Sequence, residues 1–298
     1  MIKVKKKVNG SSVFDVFNIV FMILLCVVTV YPFLNQLALS LNTGSNASFG
    51  GVTIFPREFT MDNFKTLITN PSIKDAIIVS VTRVIAGTAI GLVVTTSAAY
   101  AMTCRKLPGK SVFIWFLLLP MFINAGIIPN FILFRKLHLI NNFLVYIIPG
   151  SFVFYNMIII RTFMQGIPKS LEESAYLDGA NEIQILFKVI LPLCKPVMAT
   201  ICLWVAVGHW NDWMSNLLYI TKNHLNTLQY ILLKVVKESE MTQSISETAA
   251  LTGKAVAKPT PETVRAATIV LTTLPIIMLY PFLQKYFVKG VTIGAIKE

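Results

Sequence analysis

Pro168-Lys169-Ser170-Leu171-Glu172-Glu173-Ser174-Ala175-Tyr176-Leu177-Asp178-Gly179-Ala180-Asn181, running on to Val189-Ile190-Leu191-Pro192, is the best-punctuated stretch of this chain. Ser170 followed by Glu173 has capping-box spacing and predicts a helix from Leu171. Gly179 stands where that helix should stop, because glycine readily takes the left-handed conformation of a helix C-terminus. Asn181 followed by Gln184 predicts a second cap and a second helix. That helix would carry Ile183, Phe187 and Ile190 on one side and end before Pro192. The product is a helix–turn–helix elbow, a rigid knob suited to docking and to passing on a rigid-body movement.

On both sides of the elbow lie long apolar runs. The chain has 298 residues, 55 % of them apolar and 13 % charged. A soluble domain carries about 25 % charged residues. Crossing the hydrocarbon of a bilayer takes roughly 20 apolar residues in a helix, and a helix satisfies its own backbone there. Six runs qualify, at about 13–40, 73–102, 111–128, 142–164, 196–220 and 262–288. The expected fold is therefore all-α: a polytopic membrane protein of six transmembrane helices, with the elbow in a loop over 165–195. Residues 1–12 read as a basic tail. Residues 13–298 form one membrane domain with no internal repeat. The first run is long and no small-residue cleavage pattern ends it, so it reads as a retained span and not as a signal peptide.

The formal net charge of +12 follows topology. Lys3, Lys5, Lys6 and Lys7 crowd the N-terminal tail, and Arg105, Lys106 and Lys110 crowd the loop after the second run. Arg161, Lys169, Lys188 and Lys195 bracket the elbow, and Lys285, Lys289 and Lys297 lie in the C-terminal tail. Basic residues in short loops stay in the cytoplasm. Both termini and the elbow are thus expected on the cytoplasmic side, and the segment at 221–261 outside. Within that outer segment, 225–236 has the spacing of a surface helix, and 239–259 reads as a polar loop. The charge calls for no nucleic-acid partner.

The elbow resembles the cytoplasmic loop of permease subunits of ABC importers. The signature of that family reads Glu-Ala-Ala, three residues, Gly, nine residues, Ile-x-Leu-Pro. Glu173, Ser174 and Ala175 take the first places, Gly179 follows at the required spacing, and Val189, Leu191 and Pro192 complete it. Ser174 for Ala and Val189 for Ile are the departures, both small. Asp178-Gly179-Ala180, the stretch His209-Trp210-Asn211-Asp212-Trp213 and the tail from Tyr280 to Lys297 resemble the carbohydrate-uptake branch. The resemblance covers essentially the whole chain. It implies a multi-pass protein of a bacterial cytoplasmic membrane that is not itself an enzyme. Its Glu173, Ser174, Ala175, Asp178, Gly179 and Ala180 would couple to an ATP-binding cassette ATPase dimer, which binds ATP and Mg. A second homologous permease and an extracellular or periplasmic solute-binding protein would be the other partners, and a sugar or oligosaccharide the cargo.

For the substrate pathway the candidates are charged, aromatic and amide residues inside spans. Arg83 lies about 15 Å and Asp212 about 12 Å from the same membrane face at 1.5 Å per residue. Intramembrane charges usually face each other or a pathway, so these two are expected to pair or to line it together. Trp210 and Trp213 could stack on sugar faces, and Asn211, Asn35 and Asn156 could read hydroxyls. Gly87 and Gly91 predict close helix packing. Gly109-Lys110-Ser111 imitates the end of a phosphate-binding loop, but position 104 is Cys where that loop needs Gly. The chain itself is expected to bind no cofactor. His138, His209 and His224 are scattered, the four cysteines form no metal pattern, and no nucleophile–base pair can be assembled. Two other readings stay open. One changes the solute to a polyamine, phosphate, amino acid or peptide. The other is an ATP-independent secondary transporter, which calls for internal repeats and broken helices.

Overall fold

The computed structural model describes the backbone of residues 10–104, 107–123, 125–238 and 260–295, with side chains for these except 10–13 and 279–295. Every extended element among them is helical, apart from one isolated bridge between Asn42 and Phe59. The expected tail at 1–9, Arg105, Lys106 and the polar loop at 239–259 lie outside the described residues. So do the side chains of the Tyr280–Lys297 tail.

The chain forms two compact units, one of residues 1–69 and 234–271, the other of residues 70–233 and 272–298. The first contains helix α1, Gly10–Ser40. From Phe14 to Leu34 every large apolar side chain on α1 is exposed, as suits a helix bathed in lipid. Its end is buried and stapled by asparagines. The Asn63 amide, on helix α2 (Asp62–Thr69), donates to the Ser40 and Asn42 carbonyls at 2.9 Å each. Asn42 Oδ1 accepts from the Glu58 backbone at 2.9 Å. Ala38, Leu39, Ala47, Val52 and Ala266 close a small core beside them.

The second unit is built on helix α3, Pro71–Ala101, which Asn70 caps through the Ser72 amide, with Pro71 ready for the first turn. Its inward face is not its most apolar face. Ala76, Ser80, Arg83, Gly87, Gly91 and Thr95 recur at helical spacing and are buried, while Ile78, Ile85 and Val93 point outward. In a bilayer, small and polar residues mark the packed side. Helices α4 (Lys110–Phe122) and α5 (Ile127–Lys136) follow, bent sharply against each other around Gly126 at φ +86°.

Three expected spans differ from the structure. The run at 142–164 is not one helix. A 3-10 turn at Phe143–Tyr146 gives way to irregular chain, and helix α6 begins only at Phe154 and ends at Gln165. Pro149 and Gly150 explain the gap, since proline disfavours helix in the residue before it and removes a donor. The run at 111–128 stops at Phe122. The run at 196–220 is interrupted: helix α9 (Lys195–Asn211) ends at Asp212, which is extended at φ −78°, ψ 100°. A short helix α10 (Met214–Tyr219) resumes beyond it.

Between α6 and α9 sits the elbow, made of α7 (Lys169–Leu177) and the run Glu182–Leu193, here α8. A further helix, α11, covers residues 228–238, close to the expected 225–236. The last, α12, runs Pro261–Ala295. Among the described residues, two helices, Phe14–Ser40 and Pro71–Ala101, are individually long and apolar enough to cross a membrane. The bent pairs α4–α5 and α8–α9 each pass that test as a unit.

Candidate functional site

Two places in the second unit carry the residues singled out in the sequence: the elbow, and the seam between α3 and α9.

The elbow is closed by backbone bonds. Gly179 has φ +80°, its N–H donates to the Tyr176 carbonyl at 3.0 Å, and the Ala180 N–H donates to the Ala175 carbonyl at 3.0 Å. This pair of bonds is a Schellman stop. Asn181 then caps α8 in a true capping box, its Oδ1 accepting from the Gln184 N–H at 2.9 Å while the Gln184 side chain accepts from the Asn181 N–H at 3.0 Å. The box expected at Ser170 does not form. α7 starts at Lys169 behind Pro168, with no side-chain cap. Pro168 itself holds the N-cap place at φ −58° and ψ 126°, so Ser170 falls inside the first turn and has no cap to provide.

The apolar side of α8 also differs from expectation. Ile183 and Phe187 are exposed, whereas Ile185, Leu186 and Ile190 are buried. Leu186–Ile190 is a π-helical turn, and its extra residue rotates Ile190 away from Phe187. Ile185 and Ile190 thereby enter the core formed with Met157, Ile160, Met164 and Cys194. Ala175 and Ala180 pack on the same core, while Glu173, Ser174, Asp178 and Gly179 face out. Leu177, 90 % exposed, stands beside them, with Ile183 and Phe187 also bare. An exposed apolar cluster rimmed by polar groups is the signature of a docking surface.

Glu182, in the first turn of α8, was not singled out in the sequence. One of its carboxylate oxygens accepts from the Tyr176 hydroxyl, and the other accepts from Tyr100 Oη at 2.8 Å. The hydrogen bond to Glu182 pushes the Tyr176 phenol up to about 12.

The seam runs antiparallel. Arg83 meets Asp212, Gly87 meets His209, Gly91 meets Val205, and Thr96 meets Met198. Arg83 is 2 % exposed. Its Nη1 donates to the Asp212 carbonyl at 2.8 Å, its Nη2 donates to Asp212 Oδ2, and its guanidinium lies 4.5 Å from the centre of the Tyr146 ring. Asp212 also accepts from the Ser215 N–H at 3.0 Å and the Ser215 hydroxyl at 2.5 Å, holding the start of α10 as an N-cap residue would. The break in α9 thus places a carboxylate and a free carbonyl on one arginine. A Cβ at Gly87 would come within 2.4 Å of His209 Nε2, so any larger residue here must push the imidazole aside.

A cavity of about 370 Å³ opens over this seam, lined among others by Arg83, Tyr146, Asn156, Trp204, His209 and Asp212. Its size is that of a small-molecule site, ~300–1,000 Å³. Of the pathway candidates, it gathers Arg83, Asp212 and Asn156. The others lie elsewhere. Trp210 Nε1 donates to the Thr272 carbonyl at 2.9 Å, the Asn211 amide oxygen accepts from Gln229 at 3.2 Å, and Trp213 opens α10. Asn35 holds the Val52 and Thr53 carbonyls at 2.8 and 3.0 Å. Trp204 and His209 line the cavity although the sequence reading gave neither a role. The signal for His209 was its i+4 register with Val205 against Gly87 and Gly91; no spacing marked Trp204.

Among the described residues, long apolar helices, a packed seam of small and polar residues, and a stiff exposed elbow define a helical membrane protein. Residues 87–293 match the binding-protein-dependent transport system inner membrane component, and the chain belongs to that family of ABC transporter permeases. It is 36 % identical to Protein LplC of Bacillus subtilis (strain 168), over 97 % of this chain and 96 % of that protein. It is 32 % identical to the polygalacturonan/rhamnogalacturonan transport system permease protein YtcP of the same organism, over 96 % and 99 %. A crystal structure of a bacterial ABC transporter involved in the import of the acidic polysaccharide alginate matches with a TM-score of 0.86 and 28 % identity, covering 95 % of this chain and all of that one.

Proposed function

We propose that this chain is the permease subunit of an ATP-driven importer that passes a sugar or oligosaccharide across the cytoplasmic membrane by alternating access. The observation that carries the reading is the elbow. It is a Schellman-stopped, capped knob with Glu173, Ser174 and Leu177 facing out, inside a chain of this family. Six passes put both termini and the elbow in the cytoplasm, residues 1–12 as a tail and 13–298 as the membrane domain. An ATP-binding cassette dimer takes up the elbow at 165–195 and supplies the hydrolysis. A second homologous permease completes the pathway, and a solute-binding protein delivers cargo on the far side, against the segment at 221–261. ATP binding moves the elbow and opens the pathway outward; hydrolysis resets it. Relatives named for polygalacturonan, rhamnogalacturonan and alginate support a glycan cargo.

Within this reading Glu173 to Ala180 form the contact with the motor, and Arg83, Asp212 and Asn156 line the pathway. Trp210 and Asn211, tied to Thr272 and Gln229, and Trp213 at the start of α10 stand outside the cavity lining, and Asn35 belongs to the other unit. Gly179→Asp tests the coupling role. Cells with this variant as their sole copy are offered a panel of labelled galacturonan, rhamnogalacturonan, alginate and neutral glucan oligomers. The expected result is loss of the uptake the native chain supports, with unchanged membrane insertion. Normal uptake by Gly179→Asp would remove the coupling role from the elbow.

A further inference from the structure

The foot of α3 is gripped from the elbow by one carboxylate. Glu182 accepts from Tyr176, which belongs to α7, and from Tyr100, which is the penultimate residue of α3 and is buried in the elbow-end core. Charge-assisted hydrogen bonds of this kind are about twice as strong as neutral ones and fix direction as well as distance. The turn after α3 is held by a second bond, from Arg161 Nε on α6 to the Met102 carbonyl at 3.2 Å. Above Tyr100, α3 continues unbroken to Pro71. Arg83 stands 17 residues away, about 25 Å along the axis at 1.5 Å per residue. There it holds Asp212 at the break between α9 and α10.

We propose that Glu182 is the clamp through which the elbow drives α3, and that α3 is the rod that carries this movement to the Arg83–Asp212 contact at the cavity. Glu182 is a positioning residue. It touches no cargo and acts by making α7, α8 and the foot of α3 move as one body. α9 is connected to the elbow covalently, but through the π turn and an 85° bend, joints that can absorb a displacement. The unbroken α3 has no such joint, so the clamp at its foot is the stiffer of the two routes. When the elbow moves, α3 and the α9–α10 break are displaced against each other, and the ion pair with its Tyr146 cover is the contact that must shear.

The proposal rests on the reading of the elbow as the docking site of an ATPase. Its test uses the whole complex, purified with its motor subunits into nanodiscs. Spin labels are placed at Lys74→Cys, near the far end of α3, and at Lys222→Cys, just past α10, with the four native cysteines replaced. In the otherwise native complex, ATP with vanadate is expected to change the distance between the labels. Glu182→Ala is expected to abolish that change while ATPase activity persists. Tyr100→Phe keeps the ring and removes one hydroxyl, and is expected to reduce the change without altering assembly. A full distance change in both variants would overturn the clamp. A native complex with motor subunits but no distance change would overturn α3 as the rod. Loss of assembly in Glu182→Ala together with an undiminished change in Tyr100→Phe would leave Glu182 as a structural group only and also overturn the clamp. Absence of motor subunits from the native complex would instead strike the functional reading on which the proposal stands.

Discussion

In the elbow, the bonds that set the shape join residues no more than six positions apart: Ala175 with Ala180, Tyr176 with Gly179 and Glu182, Asn181 with Gln184. Around the cavity, the bonds that matter join residues 129 positions apart, Arg83 on one helix and Asp212 on another. The elbow buries Ile185 and Ile190, leaves Leu177, Ile183 and Phe187 bare, and is held by backbone geometry. The seam turns Ile78, Ile85 and Val93 outward and is held by glycines and an ion pair whose arginine is buried and whose aspartate is half-buried. In the proposed topology water surrounds the first, so exposed Leu177 and Phe187 are costly unless a partner covers them. Lipid surrounds the second, where exposed Ile85 and Val93 cost nothing and polar residues must find each other inside. One face leaves apolar side chains bare, and the other buries polar groups among helices.

Substitutions on the two regions should therefore fail in different ways. The largest effect is expected at Gly87. Gly87→Val drives a branched side chain into His209 and should destabilise the seam by about 3 kcal/mol or more. Fluorescence-detected size exclusion in detergent should show little intact protein. Arg83→Ala comes next. It leaves the Asp212 carboxylate partly buried without its counter-charge, an expected loss of ~2–3 kcal/mol once its partial exposure is allowed for. The double variant Arg83→Asp/Asp212→Arg should recover part of that loss in a thermal melt. No recovery would mean that Arg83 acts through Tyr146 and not through the ion pair.

In the elbow the stability effects shrink. Asn181→Ala removes a cap whose loss typically costs ~1 kcal/mol. The melting temperature should fall slightly and the elbow should become more accessible to protease. Leu177→Ser should change the melting temperature least, within the ~0.5 kcal/mol of ordinary surface substitutions. It should nevertheless weaken retention of the motor subunits. That contrast, a silent melt with a lost partner, is what separates a docking surface from a folding element. If Leu177→Ser destabilises the isolated chain as much as Arg83→Ala does, the comparison between the regions collapses.

The same contrast explains what was legible in the sequence. The Gly179 stop and the Asn181 cap could be read because their partners lie within a few residues. The box at Ser170 misled because Pro168, two residues earlier, already sets the helix start. Ile190 misled because a π turn is invisible to 3.6-residue counting. Arg83 and Asp212 could be matched by depth alone, since a membrane supplies a common ruler that a soluble fold lacks. Glu182 could not be found, because Tyr100 is 82 positions away and nothing local marks it. The two tryptophans at 210 and 213 look like sugar platforms in sequence. The break at Asp212 sets the direction of this stretch, and it is Trp204, two turns earlier, that lines the cavity.

The central claim is that the elbow is the seat of an external motor. The most direct measurement is to purify the tagged chain from its native membrane in mild detergent, once with the native elbow and once with Leu177→Ser, and to identify what accompanies each by mass spectrometry. The expected result is an ATP-binding subunit and a second permease with the native chain, and the second permease alone with the variant. An ATP-binding subunit retained equally by both, or absent from both, would contradict the account.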